Sequence, residues 1–232
     1  MSNNKEIKLS STVILYRDSD QGPQFLLAKK SEQLAFLPGY WVFPGGAVDP
    51  DDEQDTPLNT LKEAAVREIS EEINTNIADL PLTLFAHWVT PEGSPKRFST
   101  YFFLAQLPQA SMKAVQVDGG ELVESRWLTA SEGIKQHKQG LAPMLPPTLV
   151  SLMKLQGFSS AQAISSTDWS NSVTTIEPKA AYFHNKLVML YPGDAAYGLT
   201  HDTAGERHRC TEEAGIWTYI NTINSELLLA PV

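Results

Sequence analysis

Gly45 and Gly46 follow directly on an apolar, aromatic run, Tyr40-Trp41-Val42-Phe43-Pro44, and three glutamates crowd the later stretch Arg67-Glu68-Ile69-Ser70-Glu71-Glu72. Paired glycines let backbone approach a neighbour or ligand closely, because no Cβ stands in the way. On a helix, Glu68 and Glu72 share one face and Glu71 lies beside them. Like charges at that spacing repel, so the pattern calls for solvent or for a cation. Carboxylate oxygens are the hard ligands that Mg²⁺ and Mn²⁺ prefer. Most Glu-rich helices are solvated faces; a glycine turn ahead of this one points instead to a metal and phosphate site.

The helix limits can be read from its ends. Thr56-Pro57 has the form of an N-cap followed by proline in the first turn, and Asn74 suits a left-handed terminus. The predicted helix runs from Pro57 to Ile73. Leu58, Leu61, Ala65, Val66 and Ile69 offer an apolar stripe toward a sheet.

These segments resemble the signature of Nudix hydrolases, G-x5-E-x7-R-E-U-x-E-E-x-G-U, with U a bulky apolar residue. Arg67 to Glu72 fits its second half, with Ile69 as U, and Phe43-Pro44-Gly45-Gly46 fits its start. Three departures stand out. Gly46 lies 21 residues before Arg67 instead of 14, so the box carries an insertion. The first glutamate of the signature falls on Asn59, and the final glycine and apolar residue fall on Asn74 and Thr75. The family's first glutamate forms a salt bridge with the box arginine. Asp49, Asp51, Asp52, Glu53 and Asp55 precede the helix and could replace it; Glu63, one turn before Arg67, is the other candidate.

The stretch Thr90-Pro91-Glu92-Gly93-Ser94-Pro95-Lys96-Arg97-Phe98, then Thr100 to Leu104, Pro146-Pro147-Thr148 and Tyr191-Pro192-Gly193-Asp194 resemble the Nudix branch that contains acyl-CoA diphosphatases, which also carries an insertion in its box. The resemblance implies Mg²⁺ or Mn²⁺ held by Glu68, Glu71 and Glu72. It implies Arg67 orienting a box carboxylate, and Gly45 and Gly46 approaching the cofactor with backbone. A further acid from a distant loop completes such sites as ligand or general base. Glu121 and Glu124 are the candidates, and the Gly119-Gly120 loop favours Glu121. The expected catalytic set is thus Glu68, Glu71, Arg67 and Glu121. Lys96 and Arg97 could hold substrate phosphates or be solvated charges.

Along the chain, strands are predicted at Ser11 to Tyr16, Phe25 to Lys29, Leu82 to Val89 and Phe98 to Gln106, with a hairpin turn at Asp18 to Pro23 and a loop at Leu34 to Tyr40. Arg126 to Leu128 reads as a short strand before a helix at Ser131 to Gln139. Pattern alone gives α+β; the resemblance implies an α/β/α sandwich with a mixed sheet. Proline-rich spacing from Leu141 marks a shift. Residues 1–140 are expected to form the Nudix domain and 141–232 an extension packed on it. In the extension a helix is predicted at Thr148 to Gln156, a polar loop at Ser159 to Ser172, and strands at Thr174 to Glu177, Leu187 to Tyr191 and Trp217 to Ile220. Trp41, Phe43, Tyr101 and Phe102 are expected in the core, His87 as a satisfied structural histidine, and Asp194 as a turn residue.

The chain has 232 residues and a formal charge of −9, which argues against nucleic acid as main partner, since backbone phosphates are bound by Lys and Arg. A small polyanion is compatible with that charge once metal reverses it locally. No apolar run is long enough to span a membrane. The single cysteine, Cys210, forbids an intrachain disulfide and suits a cytoplasmic location. The expected function is metal-dependent cleavage of a diphosphate linkage in a small molecule, with CoA or acyl-CoA leading and ADP-ribose or a dinucleotide second. A non-catalytic ligand-binding module is the alternative from another class. The extension could cover the site, cap a core edge or support a homodimer.

Overall fold

The computed structural model describes residues 6–108, 115–170 and 173–223. Its spine is β1 (Ile7–Arg17), whose β-branched and aliphatic run alternates between two apolar layers. β1 runs parallel to β6 (Arg97–Gln106) from Ile7 to Tyr16. Its other edge is shared. The glycine strand β4 (Gly45–Ala47) pairs antiparallel with Ser10–Thr12, and β2 (Gln24–Lys30) pairs with Tyr16 and Arg17. β2 continues to β3 (Trp41–Val42) and to β7 (Leu122–Thr129), while β6 pairs with β5 (Thr83–Val89), which pairs in turn with the short β8 (Thr175–Ile176). The result is a mixed sheet, and the fold is α+β.

Alternation assigns each face its helix. Val13, Leu15, Leu26, Ala28, Phe103 and Ala105 point to one side and are covered by Leu61, Ala65, Ile69 and Ile73 of α1 (Pro57–Ile73). Ile14, Tyr16, Phe25, Leu27, Phe102 and Leu104 point to the other, toward α2 (Ala130–Lys138) and α3 (Pro146–Leu155). This is the expected α/β/α sandwich.

α1 has the predicted limits. Thr56 accepts a bond from Asn59 N at 3.2 Å, and Asn74 adopts φ 50°. Leu58 departs from the predicted stripe: it lies in the first turn, beyond the sheet, and is 42% exposed. α3 begins two residues earlier than predicted, because proline is compatible with the first helical positions, where its missing N–H has no intrahelical role. Within the stretch expected as polar loop, Ser160 caps the short α4 (Ala161–Ser165); residues 171 and 172 of that stretch lie outside the described residues.

Beyond α4 a second sheet folds as a meander of β9 (Lys179–Phe183), β10 (Lys186–Leu190), β11 (His208–Glu213) and β12 (Ile216–Asn221). Two of its hairpins turn through residues with positive φ, His184-Asn185 and Ala214-Gly215, the twist-matched two-residue turn. Tyr191, Cys210 and Trp217 belong to the same apolar cluster as Trp41, Phe43, Ile134 and Leu149, so one core reaches from the glycine strand to the second sheet. Buried His137 of α2 bridges them. Its Nδ1 lies 3.2 Å from Met144 N, and its Nε2 lies 3.1 Å from both the amide and the carbonyl of Trp217 in β12. Asp194 is more than a turn residue: its fully buried carboxylate grips Arg209 of β11 through two bonds of 2.6 and 2.7 Å. Among the described residues, no helix is long and apolar enough to cross a membrane.

Candidate active site

The glycine strand and α1 face each other across the edge of β1. Gly45 has φ +145°, and a Cβ there would collide with the Ser11 carbonyl of β1; only glycine lets β4 pair so closely. A Cβ on Gly46 would strike the Glu68 carboxylate. Thus the backbone lies against the acids of α1. Gly45 N donates to Glu72 Oε2 at 2.8 Å.

Arg67 organises the other side. All five of its guanidinium hydrogens meet acceptors: Asp52 Oδ1 and Oδ2, each at 2.9 Å, the Ala47 carbonyl at 2.9 Å, and Glu68 Oε1 and Glu71 Oε2, each at 3.0 Å. The residue that stands in for the missing first glutamate is therefore Asp52. It sits at the end of a single helical turn, Pro50–Asp52, and is 2% exposed. Its Oδ2 also accepts from Asp49 N at 2.8 Å. The hydrogen bond from Arg67 holds the Asp52 carboxyl below its usual range, and Asp52 raises the guanidinium in return. Glu63, the other candidate, makes no ion pair among the described residues. Nothing in the sequence singled out Asp52 from four neighbouring acids, since the turn that aims it is a tertiary feature.

Glu68 and Glu72 line one cavity of about 640 Å³ with Gly45, Gly46, Lys30, Lys96 and Glu121. Burial raises both helix glutamates. Glu72, 7% exposed, reaches about 7: its desolvation outweighs the Gly45 N–H, and the Glu68 charge adds to the shift. Glu68 is raised by desolvation first, with Arg67 opposing. Two desolvated carboxylates beside a backbone turn fit a hard divalent cation, which would supply the charge the cavity lacks.

The remaining expected site residues fall differently. Glu71 is largely exposed and does not line the cavity; Arg67 Nη1 joins its Oε2 to Glu68 Oε1, each at 3.0 Å, so of the three expected metal ligands Glu68 and Glu72 reach the cavity and Glu71 sits beside them on Arg67. Glu121 does line it, with Lys30 Nζ 3.4 Å from its Oε2, whereas Glu124 pairs with Arg126 outside it. No group of three acidic, His or Cys side chains converges in a metal-holding arrangement among the described residues. Arg97 is turned from the cavity. Its 8% exposed guanidinium donates to the Thr90 carbonyl at 3.1 Å and meets Glu177 at 3.1 Å, so it braces β6 against the β8 segment. Its neighbour Lys96 takes the place on the cavity wall. His87 is satisfied by Thr175 and Ser99 and stacks on Tyr101 at 4.0 Å; Trp41 and Phe43 are core.

The apolar half of the cavity carries no signal in the sequence. Leu34, Phe36 and Leu37 line it from the loop before β3, and Phe36 meets Phe98 with ring centroids 6.1 Å apart. Leu145, Pro147 and Thr148 line it from the start of α3.

Residues 7–147 match the family model described as the NUDIX domain. The chain is 30% identical over 134 residues to the m7GpppN-mRNA hydrolase NUDT17 of Bos taurus; the match covers 53% of this chain and 41% of the bovine protein, well under half of that relative's length. A Caenorhabditis elegans protein named as nudix hydrolase 7 is 22% identical over 205 residues, covering 74% of this chain and 69% of its own. A NUDIX hydrolase structure from Alicyclobacillus acidocaldarius superposes with a TM-score of 0.64 at 23% identity, covering 71% of this chain and 97% of that one, a likeness of fold. With more than half of its length matched to the family model, and the box acids set against the glycine strand, this chain belongs to the Nudix family.

Proposed function

We propose that this protein is a metal-dependent hydrolase that cleaves the diphosphate linkage of a nucleoside diphosphate joined to another moiety. The observation that carries this is Glu72. A buried carboxylate raised to about 7, hydrogen-bonded to Gly45 N and sharing its cavity with Glu68 and Glu121, calls for a cation. Nudix enzymes generally use divalent metal ions, and Glu68 and Glu72 would hold one here, with the Gly46 carbonyl as a further oxygen donor. Held there, the metal would neutralise diphosphate oxygens and lower the pKa of a bound water. The chain's own work is then positional. Asp52 locks Arg67, Arg67 fixes the Glu68 rotamer, and Gly45 N–H holds Glu72. Glu121, within the same cavity and two-thirds exposed, is the acid suited to take a proton from an attacking water.

CoA or an acyl-CoA is the leading substrate. The cavity supports it by joining acids and lysines to an apolar wall of Leu34, Phe36, Leu37, Phe98 and Leu145, suited to a long and partly apolar arm beyond the diphosphate. ADP-ribose and dinucleotides would use the metal side and could place only a base, not a long flexible arm, on that wall. The extension from residue 141 onward completes the cavity through α3 and packs on the core. The test is a panel of CoA, acetyl-CoA, ADP-ribose, NADH, dinucleoside polyphosphates, dNTPs and capped RNA with Mg²⁺ or Mn²⁺, with products separated by chromatography. Metal-dependent turnover that is lost in Glu68→Gln/Glu72→Gln supports the hydrolase, and the best substrate selects among classes. Folded, metal-binding protein that turns over nothing on the panel favours a ligand-binding module.

A further inference from the structure

Pro146-Pro147-Thr148, which the box chemistry leaves unused, forms the first turn of α3 and borders the same cavity as Glu68 and Glu72. The N-cap is Leu145, whose side chain cannot cap the helix, and the two prolines carry no N–H. The first amide of the helix is therefore that of Thr148. Leu149 N already bonds the Leu145 carbonyl, whereas Thr148 N has no partner among the described residues. Thr148 is 6% exposed as a residue, and its hydroxyl also has no hydrogen-bond partner among the described residues. Thus one residue presents two unused donors at the positive end of a ten-residue helix, on a cavity wall. The hydroxyl is not sealed in by protein but opens on the cavity, where a ligand can meet it. Lys96, which makes no ion pair among the described residues, lines the same cavity, so the ligand matched to this donor set is an anion.

We propose that Thr148, through its hydroxyl and its amide, binds a phosphate of the nucleotide substrate, making the first turn of α3 the phosphate-holding wall opposite in charge to the Glu68–Glu72 side. This rests on the hydrolase assignment above and names the element that orients its substrate. The extension thereby supplies a binding residue to a site whose acids all precede it in sequence.

The test is titration calorimetry of the full chain in Mg²⁺ with α,β-methylene-ADP, whose bridge is not hydrolysed, and with adenosine as the phosphate-free control. Thr148→Val keeps the side-chain shape and removes the hydroxyl. It should weaken α,β-methylene-ADP about tenfold or more, as expected for one hydrogen bond to a charged group, and leave adenosine unchanged. Thr148→Ser should retain wild-type affinity. The melting temperature of Thr148→Val should equal or exceed that of wild type, since no protein partner loses a bond. Steady-state turnover should show a higher KM with kcat little altered. Equal affinity of Thr148→Val and wild type, no binding by wild type, or a parallel loss for adenosine would overturn the proposal. Should Thr148→Val melt early, Thr148→Ala and Thr148→Ser decide it: the hydroxyl, not the methyl, must set affinity. Calorimetry reads this without turnover, so an inactive enzyme with the expected affinity pattern refutes the hydrolase assignment alone.

Discussion

Replacing Asp52 by alanine removes the acceptor that holds Arg67 in place. Two charge-assisted bonds of 2.9 Å and the bond from Asp49 N disappear together. Bonds to charged groups contribute roughly 1.5–3 kcal/mol each, so the Arg67 pair starts from about 3 kcal/mol at the low end of that range. The Arg67 side chain is about a fifth exposed, and Asp49 Oδ2 already lies 3.8 Å from Nη2, so water and Asp49 recover part of that. The expected net loss is about 2 kcal/mol, or roughly 4–8 °C in melting temperature for a chain of this size. Urea unfolding at pH 7 measures it. Because Arg67 lowers the Asp52 pKa, the contribution is present above the ordinary value of 3.8 and fades as pH falls below it, so wild type and variant should converge in acid. A second effect follows at the site: Arg67, freed on one side, is drawn onto Glu68, which should raise the Mg²⁺ concentration needed for half-maximal turnover. Glu63→Ala is the control and should change stability by less than about 0.5 kcal/mol. If Asp52→Ala is no less stable than Glu63→Ala, Asp52 does not fill the place of the missing box glutamate.

Other perturbations have equally definite outcomes. Gly46→Ala should fold but lose at least about tenfold in turnover, because its Cβ displaces the Glu68 carboxylate; wild-type kinetics would contradict the close approach. In metal-free protein Glu72, raised to about 7, should cost stability as pH climbs from its usual 4.5 through 7, by up to roughly 3 kcal/mol. Glu72→Gln should abolish that decline in EDTA, as urea titrations at pH 5 and pH 8 would show; an unchanged decline would assign it to another group. Asp194→Ala leaves the buried Arg209 with Asp202 alone and should cost about 3 kcal/mol, read by thermal unfolding. A loss below about 1 kcal/mol would mean that the pair does not hold the second sheet.

The catalytic half of the fold was legible because local signals agreed with tertiary need. Thr56-Pro57 and Asn74 mark both ends of α1 by backbone chemistry alone, and the period-two runs of β1, β2 and β6 mark a sheet buried on both faces. What stayed hidden depends on distant parts of the chain. Arg97 resembles a phosphate ligand in sequence, yet the pairing of β5 with β8 brings Glu177 to it, eighty residues away. β11 reads as polar, His208 to Glu213, because one face carries the Arg209–Asp194 pair, so hydrophobicity gives no strand signal. Leu34 to Leu37 looked like a plain connection, and only its approach to Phe98 makes it a cavity wall. Asp52 lay among five acids whose order in space is set by one short turn.

The hydrogen bond from Gly45 to Glu72 makes a single backbone amide the spectroscopic witness of the whole site. Its proton points at a carboxylate that titrates near neutrality. The ¹H and ¹⁵N resonances of that one glycine should therefore move when the carboxylate takes up a proton and move again when it takes up a cation. With a ¹⁵N-glycine label, the charge state of the centre becomes observable in solution without substrate, turnover or any chromophore.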